Sequence, residues 1–384
     1  MKITSLKPLL VNSGYINWVF VKVETDVPGL IGWGEASLEW KTNAVAGAVK
    51  DLEPLVIGQD PRRIEHIWQL MHRGAFYRGG IVVASAMSGI DQACWDILGK
   101  HLNQPVYRLL GGPVRDRVRV YGHMVGDGIP RPPGSQTLGE IAKASLMDGI
   151  SALKCGPSRV NRPMEGRSAV QTAVREIEEV RRAVGDGVDL MVDLHGRCSP
   201  ALSVEIGRAL EGLGLVFLEE PCLPYSVSGM KHVADRVRIP IAAGERLCTR
   251  WEFEPLLAAR AVEVVQPDPS HCGGISEARK IAAMAETHYM SVAFHNPLSH
   301  INTQACLHLG MATPNFLIQE VLQRHHAWRY EVVGPPLEIR DGHAHPGDRP
   351  GLGIEVNEAE CAKHPPTETR QPEAGLLDGS VADW

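Results

Sequence analysis

The stretch that decides the fold is Val188-Asp-Leu-Met-Val-Asp193-Leu-His-Gly-Arg197. Its apolar run has the length and composition of a short buried strand, and it closes on a carboxylate. Helical spacing precedes it over Ala169 to Val184 and follows it over Ala201 to Leu213. The same unit recurs on both sides. Upstream lie Val118-Arg-Val-Tyr121 and Ile150-Ser-Ala-Leu-Lys154. Downstream lie Leu215 to Glu219, Ile239 to Ala242, Val262 to Gln266, Met290 to Phe294 and Phe316 to Gln319. Eight candidate strands alternating with helices predict parallel βαβ units closed into a (β/α)8-type barrel. An open doubly wound sheet is the alternative. It wants a glycine-rich phosphate turn after its first strand, and none is found there.

Ahead of this array the pattern is α+β. Asn17 to Glu24 and Leu30 to Glu35 read as strands joined by the Pro28-Gly29 turn, and Thr42 to Val56, Pro61 to His72 and Ala84 to Lys100 read as helices, with Pro61 at a first helical position. The expected organisation is an α+β capping domain over 1–115, a barrel domain over 116–333 and a segment over 334–384 that returns to the cap, with Pro350 to Val356 as a returning strand. The fold class is therefore α/β, a C-terminal barrel under an N-terminal cap.

The 384 residues carry 39 basic and 45 acidic side chains, a net charge of −6. That balance argues against a nucleic-acid protein. No uninterrupted apolar run has the length of a membrane span, and Lys7 interrupts any secretory core. Eight cysteines without a Cys-x-x-Cys pair indicate reduced thiols and a cytoplasmic protein.

Chemistry collects at the strand exits. Asp193, Glu219, Glu245, Asp268, His295 and Glu320 close successive candidate strands at intervals of 26, 26, 23, 27 and 25 residues. In a barrel this spacing sets six ionisable groups around the C-terminal face, where barrel active sites sit. Asp193, Glu219 and Glu245 form an oxygen-only trio that repels itself without a cation and suits Mg²⁺ better than zinc. His195 faces the same cavity if the chain stays extended past Asp193. Asp268 and His295 close neighbouring strands, so a hydrogen bond between them fixes the imidazole and favours its protonated form. His325-His326 and His343-x-His345 read as surface histidines.

These residues resemble the enolase superfamily, in particular its mandelate racemase subgroup and the D-galactonate dehydratase branch. The motifs that carry the resemblance span nearly the whole chain. They include Gly32-Trp-Gly-Glu35, Phe76-Tyr-Arg-Gly-Gly80, Gly89-Ile-Asp-Gln92, Asp193-Leu-His-Gly-Arg197, Leu218-Glu-Glu-Pro221, Ala243-Gly-Glu-Arg246, Ser270-His-Cys-Gly-Gly274 and Pro350-Gly-Leu-Gly353. The resemblance implies metal ligands at Asp193, Glu219 and Glu245, a base at His195, a His–Asp dyad at His295 and Asp268, and a second acid at Glu320. Glu219 is the implied ligand of the tandem acids, although strand parity alone leaves Glu219 and Glu220 equivalent. Lys154 belongs with the catalytic group. The subgroup often carries Lys-x-Lys there, and Gly156 takes the second position.

The implied reaction removes a proton α to a carboxylate. The resulting enediolate carries two negative charges, which a divalent cation offsets; pairing a His base with Mg²⁺ is the known pattern of this superfamily. His195 then takes the proton, His295 protonates the departing 3-hydroxyl, and a sugar acid becomes a 2-keto-3-deoxy acid. The expected ligands are Mg²⁺ and a small hydroxy acid, and the expected assembly is a homo-oligomer without nucleic acid or membrane. Two alternatives stay open: an epimerase or cycloisomerase using the same enediolate, and a catalytically silent homologue. His123 and the stretches Ser13 to Trp18, Gly156 to Gly166 and Asn296 to His300 depart from the galactonate pattern and are expected to bear on the substrate.

Overall fold

The structure is a computed structural model that describes all residues except 125–130, 147–148, 158–159, 161, 323–326, 369–375, 377 and 383–384. The histidine pair 325–326 therefore lies outside the described residues.

The chain opens with an antiparallel meander of β1 (Ile3–Asn12), β2 (Asn17–Thr25) and β3 (Ile31–Glu35). Three helices pack on it: α1 (Thr42–Val56), α2 (Ile64–Arg73) and α3 (Ile81–Leu102). Strand alternation explains the Gly-Trp-Gly-Glu motif of β3. Gly32 and Gly34 face α3 so closely that an added Cβ would stand 2.2 Å from the Ala93 carbonyl oxygen and 2.0 Å from that of Gly89. Trp33 and Glu35 point the other way, Trp33 into the core shared with the barrel. Helix α2 begins at Ile64, three residues later than expected, so Pro61 lies in the preceding turn. Helix α3 is long and apolar enough to cross a membrane by composition, but 72% of that window is buried inside the protein.

Eight parallel strands follow: β4 (Val118–His123), β5 (Ala152–Cys155), β6 (Asp189–Asp193), β7 (Leu215–Glu219), β8 (Ile241–Ala243), β9 (Val264–Val265), β10 (Ser291–Val292) and β11 (Gln319–Val321). Neighbours pair in sequence order, and β11 pairs with β4. A parallel bridge between Val292 and Phe316 closes the last gap, so the sheet forms a ring. Each strand, or the residue beside it, sends one side chain into the centre: Tyr121, Ala152, Met191, Phe217, Ala242, Val264, Ala293 and Ile318 pack as one buried cluster. This layer fills the barrel and supports whatever stands above it.

The tail does not extend the cap sheet as a strand. Glu355–Val356 pairs with Val333–Gly334 at the end of the barrel. The return to the cap is made instead by Gly351 and Leu352. Gly351 N donates to the Gln104 carbonyl at 3.0 Å, and Leu352 N donates to Asp96 Oδ1 of α3 at 2.9 Å. Pro350 and the glycines around it favour this turn over a ladder.

Candidate active site

A period of two carries the inward-facing layer up to the functional residues. Two positions past Tyr121, Ala152, Met191, Phe217, Ala293 and Ile318 stand His123, Lys154, Asp193, Glu219, His295 and Glu320. Glu245 breaks this parity. Gly244, at φ +149 and with no room for a Cβ against Phe253 and Gln266, redirects the chain so that Glu245 joins the ring. One ligand oxygen each from Asp193, Glu219 and Glu245 lie within 4.8 Å of one another. Asp268 stands three residues past β9, and its Oδ2 accepts from His295 Nδ1 at 2.8 Å.

His195 reaches the cavity by a different route from the extended one expected. It sits at φ +51 and Gly196 at φ +69, a left-handed turn rather than a strand. Asp193 Oδ1 accepts from His195 N at 2.8 Å and holds that turn, and Arg246 Nη2 donates to the His195 carbonyl at 3.2 Å. The imidazole Nε2 ends 3.5 Å from Asp193 Oδ2. His295 stands on the other flank, its Nε2 3.6 Å from Glu245 Oε2.

The tandem acids separate clearly. Glu219 joins the trio. Glu220 is turned away at φ +36, and its Oε2 accepts from Arg246 Nε at 2.6 Å. Burial pushes the Glu220 carboxyl up to about 8 against the pull of Arg246.

Lys154 is 5% exposed, and its Nζ lies 3.1 Å from Asp193 Oδ2, 3.0 Å from Glu219 Oε1 and 2.7 Å from Glu320 Oε1. Burial opposes its charge, yet Glu219 and Glu320 outweigh burial and hold its pKa well above the usual lysine range. It is a buried cation. Glu320 is held on both oxygens: His123 Nε2 is 2.5 Å from Oε1, and Asn296 N donates to Oε2 at 2.6 Å. His123 is thus buried behind Glu320 rather than on the cavity wall.

The donor set fits a hard divalent cation. Among the described residues Glu219 Oε2 is buried without a hydrogen-bond partner, and Asp193 Oδ2 has only its ion pair with Lys154 and the nearby His195 imidazole. Burial and the Asp193 charge push the Glu219 carboxyl well above the usual range, against the pull of Lys154. Three convergent carboxylates, one with an unsatisfied buried oxygen, suit a cation that takes oxygen ligands. The trio is a candidate divalent-metal site.

Above the trio lies a cavity of about 360 Å³, lined by Asp193, His195, Glu245 and His295 from the barrel and by Tyr15, Leu38, Glu39, Trp40 and Ile81 from the cap. Such a volume falls in the range of small-molecule sites. Tyr15 places the first cap loop on the wall, as expected from its unusual sequence. Glu39, Trp40, Arg246 and His271 are cavity residues that the strand-end spacing did not reveal, because they stand on loops. The surface histidines 343 and 345 contact the Asp341 carbonyl and Gly347 N, away from the cavity.

Comparison with known proteins agrees with this architecture. Residues 9–111 match the N-terminal domain of mandelate racemase / muconate lactonizing enzyme, and residues 137–360 match the enolase C-terminal domain-like family. A D-galactonate dehydratase of Verminephrobacter eiseniae is 42% identical over 100% of both chains, and one of Pectobacterium atrosepticum is 39% identical over 96% of each. Among solved structures, a member of the enolase superfamily from Salmonella Typhimurium superposes with a TM-score of 0.89 at 32% identity, covering 95% of this chain and 98% of its own. A mandelate racemase/muconate lactonizing enzyme-like protein from Roseovarius sp. TM1035 gives 0.89 at 31% identity, with 96% of each chain covered. The closed barrel and its α+β cap thus carry both matched domains, and the chain belongs to the mandelate racemase / muconate lactonizing enzyme family of the enolase superfamily.

Proposed function

We propose that this chain is a Mg²⁺-dependent sugar-acid dehydratase, a carbon–oxygen lyase that converts D-galactonate or a related aldonate to a 2-keto-3-deoxy acid. The observation that carries the reading is the convergence of Asp193, Glu219 and Glu245 with an imidazole on either flank. End-to-end similarity to D-galactonate dehydratases supports the reaction class. The oxygen-only donor set favours Mg²⁺ over zinc.

Asp193, Glu219 and Glu245 hold the cation. When bound it supplies Lewis-acid charge for the substrate carboxylate. His195, set beside the trio by its left-handed turn, takes the proton from C2. His295 stands opposite and donates a proton to the 3-hydroxyl. The C3–O bond breaks, water leaves, and the enol tautomerises to the 2-ketone. Asp268 accepts from His295 Nδ1 and so fixes the tautomer that keeps Nε2 turned to the cavity. Burial disfavours a charged His295, but the Glu245, Glu320 and Asp268 carboxylates prevail and favour the imidazolium a general acid needs. Lys154 and His123 hold the buried Glu320 in one orientation beneath the cavity. Gly156 at the second position of the Lys-x-Lys site leaves no second lysine there, which favours dehydration over two-base racemisation.

The reading also includes a division at 115 and 333, a homo-oligomeric assembly and action in the cytoplasm. A hydrophobic core built only from buried residues between Ile3 and Ile97 supports the first boundary.

The test is incubation of D-galactonate and other aldonates with enzyme and Mg²⁺ in D₂O, followed by NMR and a keto-acid assay. Formation of a 2-keto-3-deoxy acid is expected, and products that keep the mass of the starting acid refute dehydration. H295N is expected to exchange the C2 hydrogen with solvent while losing no water, and H195N to do neither. The opposite pattern exchanges the two roles.

A further inference from the structure

A second, small cavity of about 20 Å³ lies where β2 of the cap meets the loop after β10 and the exit of β11. Trp18, Ser299, Thr303 and Arg329 stand on its wall, and no carboxylate does among the described residues. Arg329, from the short helix Trp328–Val332, is 5% exposed. Its Nε and Nη2 both donate to the Ser13 carbonyl, at 3.1 and 2.8 Å, and its Cζ stands 5.4 Å from the centre of the Trp18 ring. Nη1 makes no hydrogen bond among the described residues. One neutral carbonyl and one ring face leave a buried charge unpaired, and buried charges are ordinarily paired. Burial alone acts on the guanidinium, pushing its pKa down to about 10, and no acid pulls it back. Arg246 and Arg250 differ, since each meets a buried glutamate, Glu220 and Glu277. Glu35 touches the Ser299 wall, but its carboxylate is taken up by Ser37, Ser299 and Asn302, the last two clamping cap to barrel.

We propose that this cavity holds one small monovalent anion, of the size of chloride, bound by the Arg329 guanidinium. The space admits about one water-sized particle, which excludes a sugar acid or a phosphate. A water fits but leaves the charge unpaired. The Ser299 and Thr303 hydroxyls donate elsewhere, to Glu35 and to the Ser299 carbonyl, so the guanidinium is the group that selects an anion. The ion would also brace the cap. Arg329 holds the Ser13 carbonyl, Ser13 N donates to the Ile16 carbonyl at 2.8 Å, and Ser13 Oγ accepts from Ile16 N at 3.1 Å. This is the turn that carries Tyr15 to the wall of the larger cavity.

The test uses the full chain, loaded with Mg²⁺ and kept free of halide, with ionic strength held by isethionate, an anion too large for the cavity. Chloride then replaces isethionate stepwise while Tm is followed. A saturable rise is expected, about 2 °C at ten times Kd. R329M keeps an unbranched side chain without its charge, and its Tm is expected to stay flat over the same series. An equal rise in R329M places the ion elsewhere, for instance at the metal, and the lack of a saturable rise in wild type removes the ion altogether; either result overturns the proposal. Should R329M fail to fold, wild-type crystals grown with bromide decide. An anomalous peak against the Arg329 guanidinium is expected, and peaks confined to other sites, or none, refute the assignment.

Discussion

Replacing Glu35 by alanine tests the clamp between cap and barrel. At pH 8 the Glu35 carboxylate is ionised and accepts from Ser37, Ser299 and Asn302. The hydroxyls can swing to new partners once it is gone, but Ser299 N and Asn302 N cannot. Two buried N–H groups without partners cost about 2–6 kcal/mol together. Alanine also relieves the cost of burying a charge, which places the net loss near the lower half, about 3 kcal/mol. An unfolding entropy of about 2.1 cal/mol/K per residue over 384 residues converts this to a Tm fall of about 4 °C. Catalysis should also suffer. Asn302 Nδ2 donates to Asp268 Oδ1 at 3.0 Å, so loosening residue 302 loosens the carboxylate that orients His295. A fall in kcat of about tenfold is expected, the lower end of what a remote loss of positioning costs. Calorimetry at pH 8 and turnover of D-galactonate are the assays. A Tm within 1 °C of wild type together with kcat within twofold refutes the argument.

Three further outcomes follow, one from Glu35 and two from the acidic trio. Burial pushes Glu35 up to about 7, with its serine and backbone donors limiting the rise, so the folded chain holds this proton more tightly than the unfolded one. Its contribution is therefore present below about pH 4.5 and is lost as pH rises to 7, by about 3 kcal/mol; the difference in stability between wild type and E35Q, followed from pH 5 to 8, should trace that slope, and a difference flat with pH removes the assignment. D193N and E219Q should each weaken Mg²⁺ binding by at least about 100-fold in calorimetry. Chelation of wild-type protein should then lower Tm by about 3 °C relative to a sample at 100 times Kd, whereas either variant should melt alike with and without Mg²⁺.

The barrel and its ring of acids were legible because both are periodic. Strand exits recur at the length of one βα unit, and alternation along each strand lifts Asp193, Glu219, His295 and Glu320 above the packed layer. Where the chain leaves regular geometry, that legibility ends. His195 faces the cavity through a positive φ that nothing in an alternating pattern specifies, and Glu245 does so through Gly244. Glu219 and Glu220 are indistinguishable in sequence, and only the pull of Arg246 on Glu220 separates them. Glu39 and Tyr15 reach the site from loops more than 150 residues upstream of Asp193, a placement set by how the cap seats on the barrel. Gly351-Leu-Gly-Ile-Glu-Val356 alternates and so resembles a returning strand in sequence. Around Gly351 it meets the cap through a few backbone hydrogen bonds, to Gln104, Val106 and Asp96, rather than through a ladder.

The eight packed side chains from Tyr121 to Ile318 have one more consequence. They make the barrel a vessel with a solid floor, closed at the end away from the cap. Traffic is then one-way in geometry and two-way in time: an acid that slips past Trp40 must have its product and its expelled water depart by the same door before the next acid can come in.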